Sequence, residues 1–314
     1  MRNVLIVLFL LVSVSAAASR VYEGYTYKDG KWYFQIGGRF TEIIGYDSLT
    51  FQIVHPTNPS VRMDLFFAKD KNYVYYKGEQ IDGANPQTFE LIFFSEYSKD
   101  SKNVYYETKK LDSADVETFE WIPYVFNQGY GSTGNRYAKD KNFVFRSGVI
   151  IPYDAATFQL LPWGFMIDKS GIYYRDKILK GSSSVNYRSL DTYMISNNKV
   201  YHKDIEIKGA DANSFQIVKH RWIDNIGNNT ADYTIAKDKN FIYIDAQPFK
   251  QFDVKTFEIV SSPILSYSYD YDREENKWID RNAVVVKDKN GTYRIQKDLI
   301  GYSNSIVQFN IVPN

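Results

Sequence analysis

The chain contains no cysteine, which removes disulfides, thiolate metal sites, iron–sulfur clusters and cysteine nucleophiles together. It has three histidines, His55, His202 and His220, with none of the spacings of a zinc site. It has no excess of charge: 38 Lys and Arg stand against 37 Asp and Glu, a formal net charge of +1, so there is no basic footprint for nucleic acid. Long apolar runs are absent too, since residues 4–14 fall well short of the ~20 needed to span a bilayer. That run follows Arg2 and precedes Ala16, Ala17 and Ala18, the pattern of a cleavable export signal. Residues 1–18 are therefore expected to be removed, leaving 19–314 as one repeat domain with no membrane segment. An exported chain without disulfides must be held by packing alone.

What is abundant is aromatic: 27 Tyr, 21 Phe and 5 Trp, 17% of the chain. Their spacing exposes an internal repeat. The strings Asp70-Lys71-Asn72-Tyr73-Val74-Tyr75-Tyr76, Asp140-Lys141-Asn142-Phe143-Val144-Phe145 and Asp238-Lys239-Asn240-Phe241-Ile242-Tyr243 are near copies. Further copies begin at Asp100, Asp168 and Asp288, with degraded ones at Ser196 and Lys28. In seven of them an aromatic (Tyr75, Tyr105, Phe145, Tyr173, Tyr201, Tyr243, Tyr293) is followed six positions later by an apolar residue, from Ile81 to Leu299. A second motif closes each unit, Asp-x-x-Thr/Ser-Phe, as at Asp47, Asp115, Asp154, Asp211 and Asp253, with Asn85 a variant and weak copies at Ser184 and Ser305.

Residue types predict the local structure. Asp and Asn bond their own backbone and tolerate left-handed conformations, so Asp-Lys-Asn between two β-favouring runs reads as a hairpin turn. The next strand has apolar side chains at adjacent positions, as in Val74 and Tyr75, and so is covered on both faces. Lys77-Gly78, Ser147-Gly148 and Lys203-Asp204 mark a second turn. Each unit is thus a short β-meander. The Asp-x-x-Thr-Phe element suits a single helical turn capped by its Asp, then a brief strand. One such unit cannot bury both apolar faces, so its neighbours must cover them, and most aromatics belong to those seams.

The repeated Asp-Lys-Asn-aromatic-Val-Tyr-Tyr, best formed at Asp70 to Tyr76, and the closing elements at Asn85-Pro86-Gln87-Thr88-Phe89 and Asp154-Ala155-Ala156-Thr157-Phe158 resemble the DKNYY repeat family, from about Tyr25 to the C-terminus. The resemblance implies a bacterial, exported repeat protein and carries no activity or cofactor. The expected fold is all-β, seven to eight tandem β-meander units arranged as a propeller-like ring or an open β superhelix. Eight units over residues 21–314 average about 37 residues, near the ~40 to 45 of propeller blades. The tight units at Asp168 and Ser196 favour the open stack instead.

Four connections carry insertions, at residues 55–69, 123–139, 219–237 and 261–287, all at the same junction of the repeat. Equivalent junctions gather on one surface of a repeat array, and such surfaces often bind. These insertions hold Tyr124, Phe126, Tyr130, Trp222, Tyr267, Tyr269, Tyr271 and Trp278 among Asn, Gly and Ser, a mixture suited to protein or sugar contacts. The competing reading is that they form extra strands packed on the array. Gly129-Tyr130-Gly131-Ser132-Thr133-Gly134 fits a dinucleotide fingerprint but no helix follows it, and Asp270, Asp272, Glu274 and Glu275 lack the glycine and final glutamate of a calcium loop. No catalytic, metal or cofactor residue is specified. The leading expectation is a non-catalytic interaction module in the periplasm or outside the cell, with a protein partner. A carbohydrate-binding or glycan-processing protein and a toxin-neutralising immunity-type protein are the alternatives.

Overall fold

The structure, a computed structural model, describes residues 23–55, 66–92, 96–123, 136–219, 233–261, 269–272, 277–280, 284–300 and 306–313. The expected export signal lies outside them. Among the described residues there are eight antiparallel sheets and one short 3-10 turn, Pro162–Gly164. No helix there is long and apolar enough to cross a membrane.

The eight sheets match the eight copies of the repeat. The first has three strands, Glu23–Lys28, Lys31–Ile36 and Arg39–Glu42. The second has four in sequence order, Gln52–Ile53, Phe67–Lys69, Val74–Tyr76 and Glu79–Gln80, and this meander recurs through the seventh. Asp-Lys-Asn forms the turn between the second and third strands, as its residue types predict. The boundary of the unit differs from the sequence motif. The brief strand after Asp-x-x-Thr-Phe does not close its own meander; Gln52 pairs with Lys69, and Gln159 with Ile167, of the following copy. Each sheet is therefore built from the end of one sequence unit and the start of the next.

The alternation of the pleat assigns the two faces of the central strand to different neighbours. Tyr75 packs with Tyr25 and Phe34 of the first sheet, whereas Val74 and Tyr76 pack with Tyr105 of the third sheet. The same division holds further along: Tyr201 packs with the fifth sheet's Phe165 and Ile172, Val200 with the seventh sheet's Tyr243. Ile242 and Ile244 pack with Val284, Val286 and Ile295 of the eighth sheet. The motif tyrosine faces the preceding repeat and its aliphatic neighbours face the following one. The chain divides into two compact units, residues 1–117 and 118–314, and within each unit every core cluster joins consecutive sheets.

The second turn comes out where expected, and its first residue takes a left-handed φ at Lys77, Glu107, Ser147, Arg175, Lys203 and Asp245. At Gly78 glycine is required twice over. Its φ is +85°, and an added Cβ would meet Phe34 Cβ at 3.0 Å. The eighth sheet departs from the pattern. Where a second turn should fall, Ile295-Gln296 puts a buried β-branched residue at the position that takes a left-handed φ in other copies, and the strand runs on through Gly291–Ile300. Its partner Ile306–Pro313 lies along it from Ile300↔Ile306 to Tyr293↔Pro313, so the weak closing copy at Ser305 becomes a long strand rather than a turn. Terminal repeats of stacked arrays are commonly atypical in this way.

Candidate functional site

Each meander has two ends, which differ in chemistry. At one end the two sequence motifs clasp each other. Asp70 Oδ1 accepts the N–H groups of Asn72 and Tyr73, both at 2.7 Å. Its Oδ2 accepts the Asp47 N–H at 2.8 Å and the Tyr75 hydroxyl at 3.0 Å. Asp47 Oδ1 in turn accepts the N–H and hydroxyl of Thr50 at 3.1 and 2.8 Å, and Thr50 Oγ1 accepts the Lys71 N–H at 3.0 Å. Lys71 Nζ completes the clasp 2.8 Å from Asp47 Oδ2. The main links recur with Asp154 and Asp168, Asp211 and Asp238, Asp253 and Asp288, and with Asn85 and Asp100.

Burial pushes the carboxyls of Asp70 and Asp100 up, but the N–H and O–H donors around each outweigh it and hold both below the ordinary carboxylate range. The outer members, half-buried, are lowered by different partners: Lys239 and then Ser214 bring Asp211 to about 2, and Lys289 and then Thr256 bring Asp253 to about 2. Exposed ion pairs of this kind add little stability, so the buried carboxylate is the main part of the clasp. Its role is structural. All four acceptor positions of Asp70 are filled from within the chain, and the interleaved lysine is turned to Asp47.

At the other end the insertions leave the sheets. The strand after each insertion starts at its mouth and runs to the Asp-Lys-Asn turn, so mouths and clasps lie at opposite ends of each meander. Backbone bonds close the mouths, with Val54 N–H on Phe67 O at 2.9 Å and Ile122 N–H on Tyr137 O at 3.0 Å. The second turn lies beside each mouth: Lys77 N–H donates to Phe66 O at 2.7 Å, and Asp245 N–H to Thr234 O at 3.0 Å. Polar side chains then link this end of one sheet to the same end of the next. Tyr76 hydroxyl donates to Glu107 at 3.2 Å, Arg146 to Asp176 at 2.7 Å and Lys177 to Asp204 at 2.6 Å. Within each unit the insertions therefore emerge on one side.

Of the candidate binding residues, Tyr124, Phe126, Tyr130, Trp222 and Tyr267 lie outside the described residues, as does the glycine-rich 129–134. Tyr269 and Tyr271 lie on the strand Tyr269–Asp272 and Trp278 on the strand Lys277–Asp280, with Tyr271 opposite Trp278 and Trp278 opposite Leu299. That part of the fourth insertion is an extension of the eighth sheet. The start of the acidic cluster, Asp270 and Asp272, is strand rather than loop. Among the described residues no group of three or more His, Asp or Glu side chains could hold a metal.

Two features escaped the sequence reading. The first is a buried polar cluster between the sixth and seventh sheets at the insertion end. His202 Nε2 lies 3.5 Å from Asp245 Oδ1, the Tyr193 hydroxyl donates to Asp245 O at 2.6 Å, and the Thr234 hydroxyl donates to Asp191 Oδ2 at 3.2 Å. His202, Asp191 and Thr234 are all buried, and the cluster ties the two sheets together. The only sequence signal is that residues 190–193 have no insertion, which brings Asp191 and Thr192 into the turn itself.

The second feature is a groove of about 700 Å³ at the clasp end of the sixth sheet, lined in part by Asn186, Tyr187, Arg188, Asn197, Asn198 and Asn213. It lies where the repeat is most degraded. Ser196 replaces the clasp aspartate and accepts only the Ser183 N–H, at 2.8 Å, while donating to nearby carbonyls. The closing copy from Ser184 has no phenylalanine to fill the seam, and Val185 and Tyr187 stand exposed. The clue was the degraded motif, which suggests a weak copy more readily than an opening.

Sheets of this form, stacked through shared seams and joined by clasped turns, define a tandem β-meander repeat protein. The DKNYY family profile matches the chain over residues 25–177, 137–275 and 193–312, and the chain belongs to that family. No curated protein and no solved structure matches it significantly.

Proposed function

We propose that this chain is an exported, non-catalytic repeat scaffold of the bacterial periplasm or exterior that binds a protein partner through its insertion end. The observation that carries the reading is the division of labour between the two ends. The motif carboxylates, tyrosines and lysines are committed to clasps, while within each unit the variable, aromatic-rich insertions leave the sheets at the opposite end. Exposed apolar residues support a protein partner: Val149, Ile150, Ile178 and Ile205 lie on the outer strands of three successive sheets, where the second and third sheets carry Glu79-Gln80 and Lys109-Lys110.

Deleting residues 266–276, which removes the edge strand Tyr269–Asp272, is expected to leave the remaining sheets folded and to abolish recovery of the partner from native envelope extracts. Unchanged recovery together with lost folding would sink the idea. For the arrangement of the sheets the proposal favours a propeller-like ring, which removes exposed edges, over an open β superhelix. A solution scattering profile of an elongated particle rejects the ring and leaves the superhelix.

A further inference from the structure

We propose that the groove at the clasp end of the sixth sheet is a second binding site, for a neutral oligosaccharide. The site arises from the loss of a clasp. In the other copies the corresponding turn is closed by an aspartate whose oxygens gather the chain around it, and a phenylalanine of the closing motif fills the seam, as Phe51 and Phe215 do. Here Ser196 holds the turn with a single hydroxyl, and an open groove of about 700 Å³ is left beside it.

The lining chooses the ligand. Asn186, Asn198 and Asn213 are exposed, and among the described residues their side-chain amides make no hydrogen bond within the chain. A carboxamide offers paired donors and an acceptor on one plane, which suits neighbouring hydroxyl groups of a sugar ring. Tyr187, 37% exposed, lines the groove beside them, and its ring is the group on which the apolar face of a pyranose would lie. The one charged side chain among these lining residues, Arg188, donates one nitrogen to the Ala212 and Phe215 carbonyls at 3.3 and 3.0 Å, which holds it at the groove wall beside a lining otherwise of neutral residues. Asn197 and Asn198 both take left-handed φ values, +50° and +59°, which fixes the turn that carries them at the rim. The groove lies at the opposite end of the sheet from the insertions, so this site is independent of the protein-binding reading.

The test is titration of the full mature chain with neutral cello-, malto- and chito-oligosaccharides, followed by calorimetry or ligand-observed NMR. At least one series is expected to bind, Tyr187→Ala to weaken it tenfold or more, and Tyr187→Phe to retain it because the ring face remains. Asn213→Ala is expected to weaken it several-fold. Trp278→Ala, at the insertion end, is expected to leave it unchanged. Circular dichroism of each variant separates lost binding from lost folding. The proposal is overturned if none of the three series binds at about 5 mM, where even a 1 mM site would be mostly filled. It is equally overturned if binding survives Tyr187→Ala in a folded protein or is lost with Trp278→Ala.

Discussion

Asp70→Asn is expected to lower the free energy of unfolding by about 3 kcal/mol, read from a urea or thermal unfolding curve. The carboxylate accepts from four donors, two on each oxygen: Asn72 and Tyr73 on one, Asp47 and Tyr75 on the other. An amide of the same shape must turn its NH₂ toward one of those pairs. At least one backbone N–H then loses its acceptor, and the charge that strengthened the rest is gone. Asp47→Ala is expected to cost less, because it removes a cap at the rim of the clasp and an ion pair to an exposed lysine. Equal losses for the two variants would place the strength of the clasp elsewhere.

The same carboxylates make stability depend on acid. Asp70 and Asp100 have folded-state pKa values below their unfolded value of about 3.9. A depressed carboxylate contributes stability that is complete above its unfolded pKa and is lost as pH falls through its folded one. The unfolding midpoint of the wild type should therefore be nearly flat from about pH 5 to neutrality and fall below about pH 4. Asp70→Asn should show a shallower acid limb, since one of the titrating groups has been removed.

Tyr243→Ala is expected to destabilise the chain by about 4 kcal/mol, the largest single effect proposed for a core position. Its ring is buried between the sixth and seventh sheets, 5.3 Å from the Phe215 ring, and its hydroxyl donates to Asp238 at 2.7 Å. Tyr243→Phe separates the two contributions. It keeps the ring and loses one hydrogen bond, so a cost of about 1 kcal/mol is expected. The fourth sheet carries this replacement naturally, with Phe145 buried at the corresponding place and paired with Phe119 at 5.4 Å. If Tyr243→Phe were as damaging as Tyr243→Ala, the seam would depend on the hydroxyl rather than on packing.

Much of this architecture was legible because its signals are local. Asp-Lys-Asn announces a turn through the side chains of the turn itself, and adjacent apolar residues such as Val74 and Tyr75 announce a strand covered on both faces. The bonds from the Tyr75, Tyr105 and Tyr243 hydroxyls to the aspartate five positions earlier are not legible from spacing alone, and Tyr201, which has Ser196 at that place, donates to Lys180 O instead. Nor could the partner of a two-residue strand be read from its own sequence. Gln52–Ile53 contains nothing that says it belongs with the next hairpin; the Asp47 to Asp70 clasp decides that, across an insertion. Nothing in the sequence around His202 marks it as buried, because its partners Asp245 and Tyr193 come from elsewhere in the chain. The candidate binding aromatics lie where the repeat pattern stops. Trp278 and Tyr271 prove to be opposite one another on paired strands, which makes part of that insertion an extension of the sheet.

The central claim is that the repeated motif residues join neighbouring repeats. Hydrogen exchange read by mass spectrometry on the full chain, wild type beside Asp70→Asn, tests it most directly. Protection is expected to be lost at the Asp47, Asn72 and Tyr73 amides and through the first three sheets, while the fifth to eighth sheets keep theirs. Unchanged protection at those three amides, or an equal loss across all eight sheets, would contradict it.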